Sequence, residues 1–126
     1  MPTSKLFVDT NVLMELFFGR SKSDICIQTL LKFDELYISN LSIVNLYYFA
    51  EKSLVDIQKL EEFIFNWNWL EVSNYQIQNA LLIYSQDDFE DAVQISSCIE
   101  NKIQNFLTLD KNLAKKYADK LKITLL

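Results

Sequence analysis

The chain has 126 residues, half of them apolar and 23% charged, with a formal charge of −5. That composition fits one compact domain over 1–126 with a real core and excludes disorder. With no histidine, one glycine and two cysteines, the chain excludes Ser–His and Cys–His nucleophiles, imidazole zinc sites and glycine-rich phosphate loops.

In chain order, 5–9 reads as a short buried strand ending in Asp9. A helix follows over 10–18, with Gly19 as its terminator. Ser23 or Asp24 caps a second helix, with Ile25, Ile27, Leu30, Leu31 and Phe33 on its apolar side. Residues 36–39 form a second strand. Ser42 opens a third helix, apolar through Ile43, Val44, Leu46, Tyr47, Tyr48, Phe49 and Ala50, and such a helix is expected to be buried on most sides. An amphipathic helix over 54–66 presents Leu54, Ile57, Leu60, Phe63 and Ile64. A third strand spans 67–72, helices follow at 74–85 and 88–101, and a fourth strand over 105–109 ends in Asp110. A lysine-rich helix over 111–118 precedes a last short strand at 122–125.

Short strands alternating with helices call for a parallel sheet covered on both faces. The predicted fold class is α/β, a three-layer α/β/α sandwich with four or five short parallel strands. Cys26 and Cys98 are expected as reduced core residues of a cytoplasmic protein. No run approaches the length of an apolar membrane span, and the start lacks an apolar signal-peptide core, so neither membrane insertion nor secretion is expected. The aromatics Phe17, Phe18, Tyr47, Tyr48, Trp67 and Trp69 are expected in the core, with a partner surface as the alternative.

In open parallel sheets, ligands bind beyond the carboxyl ends of the strands. Asp9 and Asp110 stand at two such ends. Two carboxylates held close repel and raise each other's pKa, and a divalent cation relieves that penalty. The alternative is that each caps the helix after it. A third feature is Asp87, Asp88, Glu90 and Asp91, four acids in five positions at a helix start. Asp87 and Asp88 read first as helix-start residues favoured by the dipole, and Asp88 and Asp91 have capping-box spacing. Asp91 lies one turn inside and projects from the same side as Asp88. Glu90 is turned away by about 100° and is the less expected ligand. An all-oxygen set of this kind suits Mg2+, which keeps several waters and needs one or two direct carboxylates.

The charge is unevenly spread. Residues 1–101 hold six basic and fifteen acidic side chains, net −9, whereas 102–126 hold six lysines and two aspartates, net +4. Lys111, Lys115 and Lys116 are candidate RNA-phosphate contacts, with a solvated helix face as the alternative.

Four segments carry a resemblance: Phe7-Val8-Asp9-Thr10-Asn11-Val12-Leu13, Ile38-Ser39 leading into the third helix, Asp88-Phe89-Glu90-Asp91-Ala92-Val93-Gln94, and Leu107-Thr108-Leu109-Asp110. In order and spacing they resemble the PIN domain family, the nuclease fold of VapC-type toxins. The resemblance implies Mg2+- or Mn2+-dependent hydrolysis of RNA phosphodiesters, a small antitoxin partner and a homodimer. It makes Asp9, Asp91 and Asp110 the catalytic metal-binding acids. Asn11 and Thr108 fall at positions of polar support, and Asp88 is grouped with them. The family's second acid falls at Asn45, whose amide brings no charge, so metal affinity is expected to fall. Glu51, six residues on and about 240° around the helix, is poorly placed to substitute. The alternative function is a catalytically weakened PIN-like module that binds RNA or a protein. Response-regulator receivers share the acid-ended strands, but the chain lacks a convincing mid-chain phosphoacceptor aspartate.

Overall fold

Leu6, Phe7 and Val8 have no solvent exposure. A strand enclosed on both faces needs helices on both faces, which parallel βαβ connections supply. A computed structural model, describing residues 3–86 and 88–126, has this arrangement. Among the described residues the elements are β1 (Lys5–Val8), α1 (Thr10–Phe17), α2 (Ser23–Leu30), β2 (Glu35–Ser39), α3 (Asn40–Lys52), α4 (Ile57–Ile64), β3 (Asn68–Leu70), α5 (Asn74–Ile83), α6 (Phe89–Glu100), β4 (Asn105–Thr108), α7 (Lys111–Lys116) and β5 (Lys122–Leu125).

The five strands pair in parallel throughout, in the order β3-β2-β1-β4-β5. The chain winds outward from β1 to β3, then returns to the other side of β1 for β4 and β5. Right-handed crossovers place the helices of the two halves on opposite faces. Accordingly Leu6 and Val8 pack with residues of α1 to α4, including Val12, Leu46, Ala50 and Leu60. Phe7 points the other way, as strand alternation requires, and packs with Ile95, Cys98, Phe106, Leu113 and Tyr117. Its ring stacks on Phe106 at 5.2 Å between centroids. The winding reverses between β1 and β4, which makes that junction the crevice where ligands bind. Receivers have the order 2-1-3-4-5, so the topology also excludes that fold.

Several sequence expectations need correction. Helix α3 starts at Asn40, with Ser39 capping it by accepting the Ser42 N–H at 3.0 Å. It is not buried on most sides, because it packs on α1, α4 and β2 and leaves Val44 66% and Tyr48 54% exposed. The cap of α2 is Lys22, without a side-chain bond; the Glu15 carboxylate accepts the Lys22 N–H instead, at 2.7 Å. That helix turns Cys26 and Thr29 inward and leaves Ile25, Ile27 and Leu31 exposed. Leu54 adopts a left-handed φ of 56° and stands in solvent, so α4 begins only after its cap, Asp56. The six singled-out aromatics are not fully enclosed. Phe17, Tyr47 and Trp67 pack at the margin of the first core, while Tyr48 and Trp69 are exposed.

Gly19 does carry the left-handed turn after α1, with φ 60°. Cys26 and Cys98 are free and buried. Among the described residues no helix is long and apolar enough to cross a membrane.

Candidate active site

Strand register sets the first acid. Val8 lies opposite Leu107, and the Asp9 N–H donates to the Leu107 carbonyl at 3.0 Å, so Asp9 emerges beside Thr108 at the switch point. Asp9 is 5% exposed. Its Oδ1 accepts the Thr10 N–H at 2.8 Å, and its Oδ2 accepts the Thr108 hydroxyl at 2.8 Å. Having given its one proton to Asp9, Thr108 Oγ1 accepts the Asp110 N–H at 3.0 Å and Asn11 Nδ2 at 3.3 Å. Asn11 Oδ1 in turn accepts the Leu109 N–H at 3.2 Å. Thr108 and Asn11 thus tie the ends of β1 and β4 together.

Both readings of the strand-end aspartates hold at once. Asp9 caps α1, and Asp110 caps α7 through Oδ1, which accepts the Asn112 and Leu113 N–H groups. Both also line one cleft of about 360 Å³. Asp88 caps α6 by accepting the Asp91 N–H at 3.3 Å. Asp88, Glu90 and Asp91 all line that cleft, with Asn11 and Asn45. Asp87 lies outside the described residues.

Glu90 is not turned away from the cleft. It faces the cleft, and its Oε1 accepts Asn45 Nδ2 at 2.9 Å. The glutamate side chain is one methylene longer than an aspartate's, and Asn45 on α3 holds its end in the cleft. Asn45 is half-buried, and the bond that holds it runs to a side chain, not to backbone.

Negative charge in the cleft is strained. Burial lifts the Asp9 carboxyl to about 6, against the lowering bonds from Thr108 and Thr10, and the charges of Glu90 and Asp110 add to the rise. Asp91 is pushed up to about 7 by burial, then by Asp88, Asp9, Asp110 and Glu90. Glu90 is raised by burial and by Asp88, opposed by the Asn45 bond. These are the two classical causes, desolvation and like charge, acting together.

Under the cleft lies a buried polar floor. Ser42 Oγ meets Thr10 Oγ1 at 2.8 Å and accepts from Gln94 Nε2 at 2.9 Å and Ser39 Oγ at 3.2 Å. It joins α1, α3 and α6 beneath Asp9, Asn45 and Asp91. The signal was present in the sequence: Ser42 and Gln94 interrupt apolar runs one turn from Asn45 and Asp91.

A smaller recess beside the cleft is lined by Asp88, Asp91, Asp110, Asn112, Leu113 and Lys116. Lys116 is therefore brought to the acids, whereas Lys111 and Lys115 are exposed and line neither recess. Among the described residues, no three acidic or cysteine side chains close into a complete metal cage. The donors that converge are hard oxygens, and such a set fits a cation that keeps part of its water shell.

Residues 6–119 match the PIN domain family. No curated protein sequence matches the chain. Among solved structures, the chain is similar to one in a toxin–antitoxin complex from Klebsiella pneumoniae, at 20% identity and TM-score 0.76, covering 96% of each chain. It is similar to the sarcin–ricin loop cleaving toxin VapC20 of Mycobacterium tuberculosis, at 15% identity and TM-score 0.73, over 93% of this chain and 97% of that one. A third likeness is to VapBC2 from Rickettsia felis bound to a DNA fragment from its promoter, at 15% identity and TM-score 0.72, over 97% of this chain and 98% of that one. At these identities the likeness is one of fold, and it agrees with the five-stranded parallel sheet and its switch-point cleft. With its sequence matched over 6–119, the chain belongs to the PIN domain family.

Proposed function

We propose that the chain is a Mg2+- or Mn2+-dependent endoribonuclease, the toxin of a toxin–antitoxin pair, working in the cytoplasm as one domain over 1–126. One observation carries the reading: Asp9, Asp91 and Asp110, from three different elements, share a cleft in which burial and mutual repulsion raise Asp9 to about 6 and Asp91 to about 7. Such charge is costly without a cation and favourable with one. Asp9, Asp91 and Asp110 would hold the cation. When bound it acidifies an attacking water and offsets charge on the scissile phosphate. The chain's own part is orientation. Thr108 and Thr10 fix both oxygens of Asp9, the cap of α7 fixes Asp110, and Asn11 locks the loop between them. Lys116 brings a positive charge to the rim beside Asp110, where an RNA backbone would pass.

The partner reading rests on the toxin–antitoxin complexes among similar folds. Exposed apolar side chains such as Val44 on α3 and Leu82 on α5 supply surface for an antitoxin and for a second copy of the chain.

The test is cleavage of a mixed RNA pool with Mg2+, with Mn2+ and with chelator, beside Asp91→Asn prepared identically. Metal-dependent cutting that disappears in the variant is the expected result. Equal cutting by both proteins contradicts the site. No cutting by folded, antitoxin-free protein moves the reading to a binding module.

A further inference from the structure

Glu90 reaches across the cleft. It stands on the first turn of α6, yet its Oε1 accepts a 2.9 Å hydrogen bond from Asn45 Nδ2 on α3. Both side chains line the cleft with Asp9, Asp91 and Asp110. An ionised carboxylate offers only acceptors, so Asn45 must present its NH2 group to Glu90 and its amide oxygen elsewhere. The bond is charge-assisted, and it holds a long side chain that would otherwise sample many rotamers. An aspartate at position 45 would meet Glu90 as a like charge at the same contact. Asn45 and Glu90 are thus a matched donor–acceptor pair, and the arrangement keeps a carboxylate against the α3 wall although α3 contributes none there.

Resting on the nuclease reading above, we propose that Glu90 belongs to the acid set of the cation site and that Asn45 is its positioning residue. The charge at the α3 wall is delivered by a side chain from α6. On this account the neutral residue at 45 does not leave the cleft one acid short.

The test is Mn2+ titration by calorimetry on the full chain, with circular dichroism to confirm folding. Glu90→Gln keeps the shape and an oxygen for Asn45 and removes only the charge. Its Mn2+ affinity is expected to fall at least about tenfold. Asn45→Ala, which removes the amide that holds Glu90, is also expected to bind more weakly than wild type. The double variant Asn45→Asp/Glu90→Gln moves the charge to the other end of the same bond and is expected to recover most of the affinity, a rescue that a purely structural role does not produce. Wild-type affinity in Glu90→Gln overturns the proposal, and wild-type affinity in Asn45→Ala removes the positioning role of Asn45. Loss of binding in Asp9→Asn and Asp91→Asn with none in Glu90→Gln overturns this inference and leaves the nuclease reading standing. Wild-type protein that binds no Mn2+ removes both.

Discussion

The two ends of the sheet hold aspartates in opposite states. At the amino end, Asp34 is exposed and its Oδ2 accepts both the N–H and the hydroxyl of Ser4, which hold its carboxyl below the usual range. At the carboxyl end, Asp9 also accepts two hydrogen bonds, yet burial lifts it to about 6. Equal numbers of bonds give opposite shifts because desolvation outweighs them only where water is excluded. The amino end also has the larger groove, about 630 Å³, lined by Ser4, Lys5, Lys102 and Asn105 among others but by no acid. Size therefore does not distinguish the two ends as strained charge at the switch point does. Asp34 clasps the chain entering β1 to the start of β2, whereas Asp9 holds charge that its two hydrogen bonds only partly offset.

The largest effect that separates the two ends is on RNA cleavage. Asp9→Asn is expected to lower the metal-dependent rate by about a thousandfold, while Asp34→Asn leaves it unchanged. An equal loss in both variants would erase the distinction.

Stability against pH comes next. The folded-state pKa of Asp9 and Asp91 lies above the unfolded value, so between about pH 4 and pH 7 the folded chain binds more protons than the unfolded chain. Stability of the metal-free protein from these groups is therefore full below about pH 4 and falls as pH rises through that window. Asp9 accounts for about 2–3 kcal/mol of the fall. Asp34 has the opposite sign: its contribution is present above its unfolded pKa and lost as pH falls through its lowered folded value. Melting curves from pH 3 to 8 check this. Asp9→Asn should flatten the decline toward neutral pH, and saturating Mn2+ should reverse it.

Thr108→Val removes the hydroxyl that donates to Asp9 and accepts the Asp110 N–H. Mn2+ affinity is expected to drop about tenfold, read by calorimetry, with a stability loss of about 1–3 kcal/mol because buried Asp9 Oδ2 and the Asp110 N–H lose their partner. The smallest effect is at the lysine-rich end. Reversing Lys115 and Lys116 together should reduce the slope of log affinity for RNA against log salt by about 1.4. An unchanged slope would leave α7 as a solvated face.

Much of this is legible in the sequence. The strands β1 and β4 are short apolar runs that each lead into an aspartate, and burial on both faces makes such runs readable. Their adjacency is not. It comes from the reversal of winding, which no local pattern carries. The third helix misleads because apolar content says how much a helix can bury, not how much its neighbours cover. Val44 is as apolar as Leu46, yet Leu46 is buried in the first core and Val44 stands in solvent. Helical angle alone turns Glu90 away from the cleft, because it ignores side-chain length and the partner across the cleft. Asn45 looked like a lost acid for the same reason. Its side chain bonds Glu90, forty-five residues away in sequence, a contact that no local pattern carries.

The most direct test of the account is proton release on Mn2+ binding. Titrations at pH 6 and at pH 8.5, each in two buffers of different ionisation enthalpy, count the protons displaced. If the buried aspartates are the ligands, Mn2+ at pH 6 should release about one to one and a half protons, because Asp9 is half protonated there and Asp91 mostly so. At pH 8.5 it should release almost none. Tight binding with no proton release at pH 6 would place the cation elsewhere and contradict the assignment of the cleft.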